Sequence, residues 1–227
     1  MNIRSMVGLL VLTTAAALSV DSTALAFPKV GLPGSDSAAS APGTDTSASQ
    51  DQLVRSFVNA NAETILGQAK MAEALGLKDE AAKLTATAQT LKSSATNSSP
   101  TLKDALSVST DAQPMIEQEE KKAVELGAPA KQAYAEGLSH YALGVTGTVA
   151  LKDSVAAFQK EAQAQITSAS ILEKVSVTRK LEAGTYVATS LPAHLGNLGS
   201  GLKSAVAFAQ THNVPVPVDA TKALTAF

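Results

Sequence analysis

The chain has 227 residues, a formal charge of −2, no cysteine, no tryptophan and only 4% aromatic residues. A surface this close to neutral lacks the electrostatic footprint that nucleic acid or anionic lipid selects, and without thiols neither disulfide staples nor thiol redox chemistry is possible. Stability must come from packing, and the abundance of alanine, the best helix former, points to helices in close contact.

Arg4 precedes an uncharged apolar run, Met6 to Leu18, and the more polar stretch after it closes on Ala24, Leu25 and Ala26. This is the order of a cleavable secretory signal peptide, with a small-x-small pattern at the peptidase site. The run of 13 residues makes a helix about 20 Å long, short of a hydrocarbon core of roughly 30 Å. It therefore reads as an address and not an anchor, with residues 1–26 removed and the mature chain starting at Phe27. No cysteine stands at the cleavage region to carry a lipid. Cleavage removes Arg4 and Asp21, one charge of each sign, so the net charge stays at −2. The expected location is the bacterial periplasm or the exterior, with no transmembrane anchor in the mature chain.

Residues 27–50 hold Pro28, Pro33, Pro42, Gly31, Gly34 and Gly43 among many Ser, Ala, Thr and Asp. Such a segment buries too little apolar surface to offset its ordering entropy, and reads as a flexible leader. A helical domain is expected over 51–213. Val54, Val58, Asn61, Ile65, Ala69, Ala72 and Leu75 advance in steps of three and four, the spacing of one helix face, and Gly76 is a natural stop. Leu77, Ala81, Leu84, Ala88 and Leu91 repeat the pattern after a short link, which predicts an antiparallel hairpin. A third helix is expected over 101–126 with Leu102, Leu106, Ile116 and Leu126 inward, kinked or broken near 111–113 by Pro114.

Gly127, Ala128 and Pro129 mark the next corner. The helical pattern beyond it reaches about Gln165. It has one face at Leu138, Tyr141 and Val145, and an offset face at Leu151, Val155, Phe158, Ala162 and Ile166. Gly144 and Gly147 lie where the phase changes, so a bend is expected there. Val177, Leu181, Gly184, Ala188 and Leu191 mark a fifth helix. Pro192 separates it from a sixth, with Leu195, Leu198, Leu202, Ala205 and Phe208 inward. Residues 214–227 should be an extended tail, because Pro215 and Pro217 resist a helix. No convincing strand alternation appears. The predicted class is all-α, an antiparallel bundle of about six helices. Leu-Lys recurs at 77, 102, 151 and 202, a spacing that suits stacked helical hairpins, but also a tripeptide that Leu- and Lys-rich chains produce by chance.

Little in the sequence carries chemistry. Glu136 and His140 share a helix face, but a metal site needs three or four protein ligands, and spacing supplies no others. A solvated pair is the plainer reading. The nucleophile elbow Gly-x-Ser-x-Gly is absent, and Gly196 to Gly201 lacks the Lys and the preceding strand of a phosphate loop. The run Glu117 to Lys122 reads as a solvated face with a Glu117–Lys121 pair. A non-enzymatic protein without a cofactor is therefore expected, acting as a binding or adaptor module on an envelope protein partner. The alternative is a periplasmic carrier holding an apolar small molecule such as a lipid or sterol between helices. Tyr134, Tyr141, Phe158, Tyr186 and Phe208 are the candidate ligand-binding residues for it, and ordinary core packing is the competing role for all five.

Overall fold

A computed structural model describes residues 44–93 and 98–227, with Thr44 and Asp45 described by their backbone alone. The expected signal peptide (1–26) lies outside the described residues, as does the leader up to Gly43. The described part is all-α, in eight helical segments: α1 (Thr44–Ala74), α2 (Lys78–Ser93), α3 (Ser99–Lys122), α4 (Ala128–Val149), α5 (Leu151–Ser168), α6 (Ile171–Lys180), α7 (Glu182–Thr211) and α8 (Val218–Leu224). Among the described residues, no helix is long and apolar enough to cross a membrane.

Helix α1 is the centre of the assembly. It packs most extensively on α4 and α2, and also meets α3, α5 and α7. The α1–α4 approach depends on the absence of side chains. A Cβ added at Gly67 would lie 2.5 Å from the Tyr141 nitrogen and 2.7 Å from the Gly137 oxygen, and one at Gly144 would lie 2.6 Å from the Thr64 nitrogen. Close-packed interiors have no room for such an atom. The small residues therefore set the helix spacing, and the core forms around it from side chains such as Phe57, Ile65, Met71, Leu84, Leu102, Ile116 and Leu138.

The hairpin of α1 and α2 is where the sequence places it, turning through Gly76 at φ 84°, and Ala81, Leu84, Ala88 and Leu91 are buried. Elsewhere the helices depart from expectation. Helix α1 starts at Thr44, inside the segment expected to be a flexible leader: Thr46 is buried and Gln50 is engaged in the fold, so tertiary contact overrides a loop-like composition. Pro114 and Pro192 each lie inside one continuous helix. The lost hydrogen bond at each proline is outweighed by burial on both sides of it: Ala112 and Ile116 flank the first, Leu191 and His194 the second. The long segment after Pro129 breaks at Ala150 and not at Gly144 or Gly147, because those two glycines serve the α1 contact. The third helix ends at Lys122, so Leu126 is buried from a loop.

The C-terminal tail is extended only over 214–217. Asn213 turns the chain at φ 53°, a conformation asparagine tolerates, and α8 then buries Ala220 and Ala223. Three of the Leu-Lys recurrences fall at the starts of helices α2, α3 and α5, and the fourth lies inside α7. The expected fifth helix is divided at Leu181 between α6 and α7. Gln50 of α1 bridges that junction: its Nε2 donates to the Lys180 carbonyl at 3.0 Å, and its Oε1 accepts from the Gly184 N–H at 3.2 Å.

Candidate functional site

The five aromatic residues proposed from sequence do not share one cavity. Tyr134 is fully buried, 4.9 Å from the Phe208 ring, which in turn stacks on His212 at 4.0 Å. Phe158 is buried against Gly184, whose added Cβ would collide with the ring, 2.8 Å from Cε2 and closer still to Cζ. Tyr186 is half-buried, with Lys103 Nζ 5.5 Å from its ring centre. Among the described residues, Tyr141 is the one of the five that lines a cleft, and that cleft combines mostly polar residues with a largely apolar wall surface.

It is a cleft of about 210 Å³ where α1, α3, α4 and α7 meet. Helix α1 contributes Gln68, α3 contributes Ser109, Thr110, Gln113, Pro114 and Glu117, α4 contributes Tyr141, and α7 contributes His194, Asn197, Leu198 and Ser200. A chain of hydrogen bonds runs through the wall. Ser109 Oγ donates to Gln68 Oε1 at 2.7 Å, and Gln68 Nε2 donates to the Ser109 carbonyl at 2.9 Å and to Gln113 Oε1 at 3.2 Å. Gln113 Nε2 donates to Glu117 Oε1 at 3.0 Å, and the Tyr141 hydroxyl reaches Gln113 Oε1 at 3.5 Å. Two backbone features mark this region. Gly201 lets α7 come into close contact with Tyr141 and Gln113, since an added Cβ would stand 2.9 Å from Gln113 Nε2. Pro114 lacks the N–H that would bond the Thr110 carbonyl one turn earlier.

Electrostatically, the cleft joins two buried titratable groups to one half-buried carboxylate. His194 is only 7% exposed, its ring meets Phe57 edge-on at 5.8 Å, and among the described residues its Nε2 has no hydrogen-bond partner. Burial drives its pKa down to about 4, so the ring is neutral near pH 7. Burial, followed by the charges of Glu117 and Glu120, pushes the Tyr141 phenol well above its ordinary range. Glu117 is not the solvated partner of Lys121 that the sequence suggested: no ion pair joins them, and Glu117 lines the cleft. One turn on, Glu120 is buried with Tyr134 and Ser204 as its hydrogen-bond donors.

Glu136 and His140 turn to different partners. Glu136 lies 3.8 Å from Lys70, while His140 Nδ1 meets Glu63 Oε2 at 2.7 Å and Lys92 holds the other oxygen of Glu63. Among the described residues no three His, Cys, Asp or Glu side chains are gathered for a metal.

A second feature lies on the surface. Helix α6 buries none of its residues. Ile171, Leu172 and Val175 are 86%, 91% and 66% exposed, and with Arg179 they fall on one face at steps of one, three and four. The helix carries Lys174, Arg179 and Lys180 against Glu173 alone. Glu173 anchors its start, accepting from the Ser170 N–H at 3.0 Å and from Ser170 Oγ at 2.6 Å.

Comparison with known proteins returns no significant match to a family model, to a curated protein or to a solved structure.

Proposed function

We propose that this chain is a non-catalytic adaptor of the cell envelope, delivered by its amino-terminal signal and docking onto a protein partner through α6. The observation that carries the reading is the apolar face of Ile171, Leu172 and Val175, left in water on a helix that buries no residue fully and meets the core through Val177 alone. Contiguous exposed apolar side chains are a liability unless a partner covers them. Anchors at helical spacing are how a helix enters a groove on another protein. The basic rim of Lys174, Arg179 and Lys180 selects a groove edged by carboxylates, because complementary charge steers the encounter and rejects wrong partners. A carrier of an apolar molecule would need its aromatic residues around one cavity, and here four of the five sit apart from the cleft that Tyr141 lines.

Val124 supplies the control, since it is 93% exposed but stands alone. A photo-crosslinking residue at position 172 should yield a discrete adduct in envelope preparations, and one at position 124 should not. The adduct should be lost in Ile171→Asp/Val175→Asp and weakened by Lys174→Glu and by salt. Equal labelling from both positions, or an adduct indifferent to these changes, would overturn the reading.

A further inference from the structure

The cleft between α1, α3, α4 and α7 has a one-sided charge pattern. Among the described residues, Glu117 is its single carboxyl side chain, and neither Lys nor Arg lines it. Glu117 accepts one hydrogen bond, from Gln113. Among the described residues no Lys, Arg or His comes within ion-pair distance of it. Desolvating a carboxylate partly and leaving it without a cation is unfavourable, and here the unpaired charge faces an opening that a small molecule can enter. His194 also lines the cleft, more than nine-tenths buried and, among the described residues, without a hydrogen-bond partner for Nε2.

We propose that this cleft binds a small organic cation, an aliphatic ammonium that also carries a hydroxyl or carbonyl group. The ammonium pairs with Glu117 beside the Tyr141 hydroxyl and Gln113 Oε1, and the polar group faces His194 and Asn197. An anion is repelled by Glu117, and a neutral ligand leaves its charge uncompensated. The volume fits the class: an engineered cavity of about 150 Å³ in another protein accommodates benzene, and this cleft offers about 210 Å³. His194 suits the role because its neutral ring does not oppose a cation and presents one acceptor and one donor nitrogen. The α6 surface is a separate feature, and the two proposals stand or fall independently.

Three probes of nearly equal size isolate the charge: ethanolamine, ethylene glycol and glycolate. Amide chemical shifts of the native protein are followed to roughly 50 mM, the range in which a ligand of so few atoms binds. Ethanolamine should shift the resonances of residues 109–117, Tyr141 and His194 saturably. Ethylene glycol should bind about tenfold more weakly or worse, as loss of a charged hydrogen bond implies, and glycolate should leave the spectrum unchanged. Glu117→Gln should abolish the preference for ethanolamine. Equal affinity for the three, no saturable shift with ethanolamine or choline, or a preference that survives in a folded Glu117→Gln protein would overturn the proposal. Should Glu117→Gln fail to fold, the comparison of probes on the native chain decides alone.

Discussion

The hydroxyl of Tyr134 donates to Oε1 of Glu120 at 2.5 Å, joining the second turn of α4 to the end of α3 inside the core. Ser204 Oγ donates to the other carboxylate oxygen at 3.2 Å. Burial raises the Glu120 pKa above 4.5, the hydrogen bonds from Tyr134 and Ser204 offset this in part, and the charge of Glu117 adds to it. The folded state therefore holds this proton more tightly than the unfolded chain. Its contribution to stability is full below pH 4.5 and is lost as pH rises through the raised value. Glu120→Gln keeps an acceptor for Tyr134 without the buried charge, so its unfolding free energy at pH 7 should equal or exceed that of the native chain. Tyr134→Phe leaves the carboxylate short of a donor and should cost about 1–3 kcal/mol. Denaturant titrations between pH 4 and 8 read both outcomes.

His194 works in the opposite sense. Its pKa falls from 6.5 to about 4 on folding. Its contribution is therefore full above pH 6.5 and is lost as pH falls toward 4, by up to roughly 3 kcal/mol at about 1.4 kcal/mol per unit. His194→Phe should flatten this acid limb while leaving the Glu120 limb in place. An acid limb of unchanged steepness in that variant would refute the assignment.

Two glycines in helices should respond to alanine with opposite signs. Gly144→Ala forces a Cβ against Thr64 and Ala60 and should lower stability by about 1–3 kcal/mol, the range for overpacked cores. At Gly196, within α7, nothing stands within 4 Å of an added Cβ, so alanine should raise stability by up to about 1 kcal/mol through helix propensity. Thermal unfolding of the pair tests whether backbone approach, and not glycine content, sets the α1–α4 spacing.

On α6, Leu172→Asp should change stability by no more than about 0.5 kcal/mol, as substitutions at exposed positions do. Leu84→Ala, at a fully buried site, should cost about 2–5 kcal/mol. If Leu172→Asp destabilises to a similar degree, the face is packed in solution and cannot serve a partner.

The helical class was legible because burial follows the 3.6 period almost without exception. The face from Leu77 to Leu91 can be taken directly from spacing, and its last four members are buried. The same arithmetic on α3 runs from Leu102 through 105, 109, 112 and 116 to Glu120, all buried. The signal for an inward carboxylate was thus present in the periodicity, although the charge run around it suggests a solvated face. The cleft was not legible. Gln68 and Ser109 bond to each other across 41 positions, and no local rule brings them together. Pro192 illustrates the reverse error, since a breaker by propensity sits in a helix that the core holds on either side of it. The segment 44–50 shows that a Ser- and Thr-rich sequence becomes helical once a side chain such as Gln50 finds main-chain partners elsewhere.

Those partners give Gln50 a role that neither end of the chain suggests. At the joint between α6 and α7 one carbonyl and one amide have lost their helical mates, and the carboxamide of Gln50 supplies both, standing in for a missing peptide group much as a rung joins two rails. The direction in which α6 projects is thus set from the opposite end of the sequence. A fragment starting at residue 51 would keep its core and lose the pose of α6. Hydrogen exchange should then speed up over 171–184 while the protected amides of α1 and α4 stay as they are.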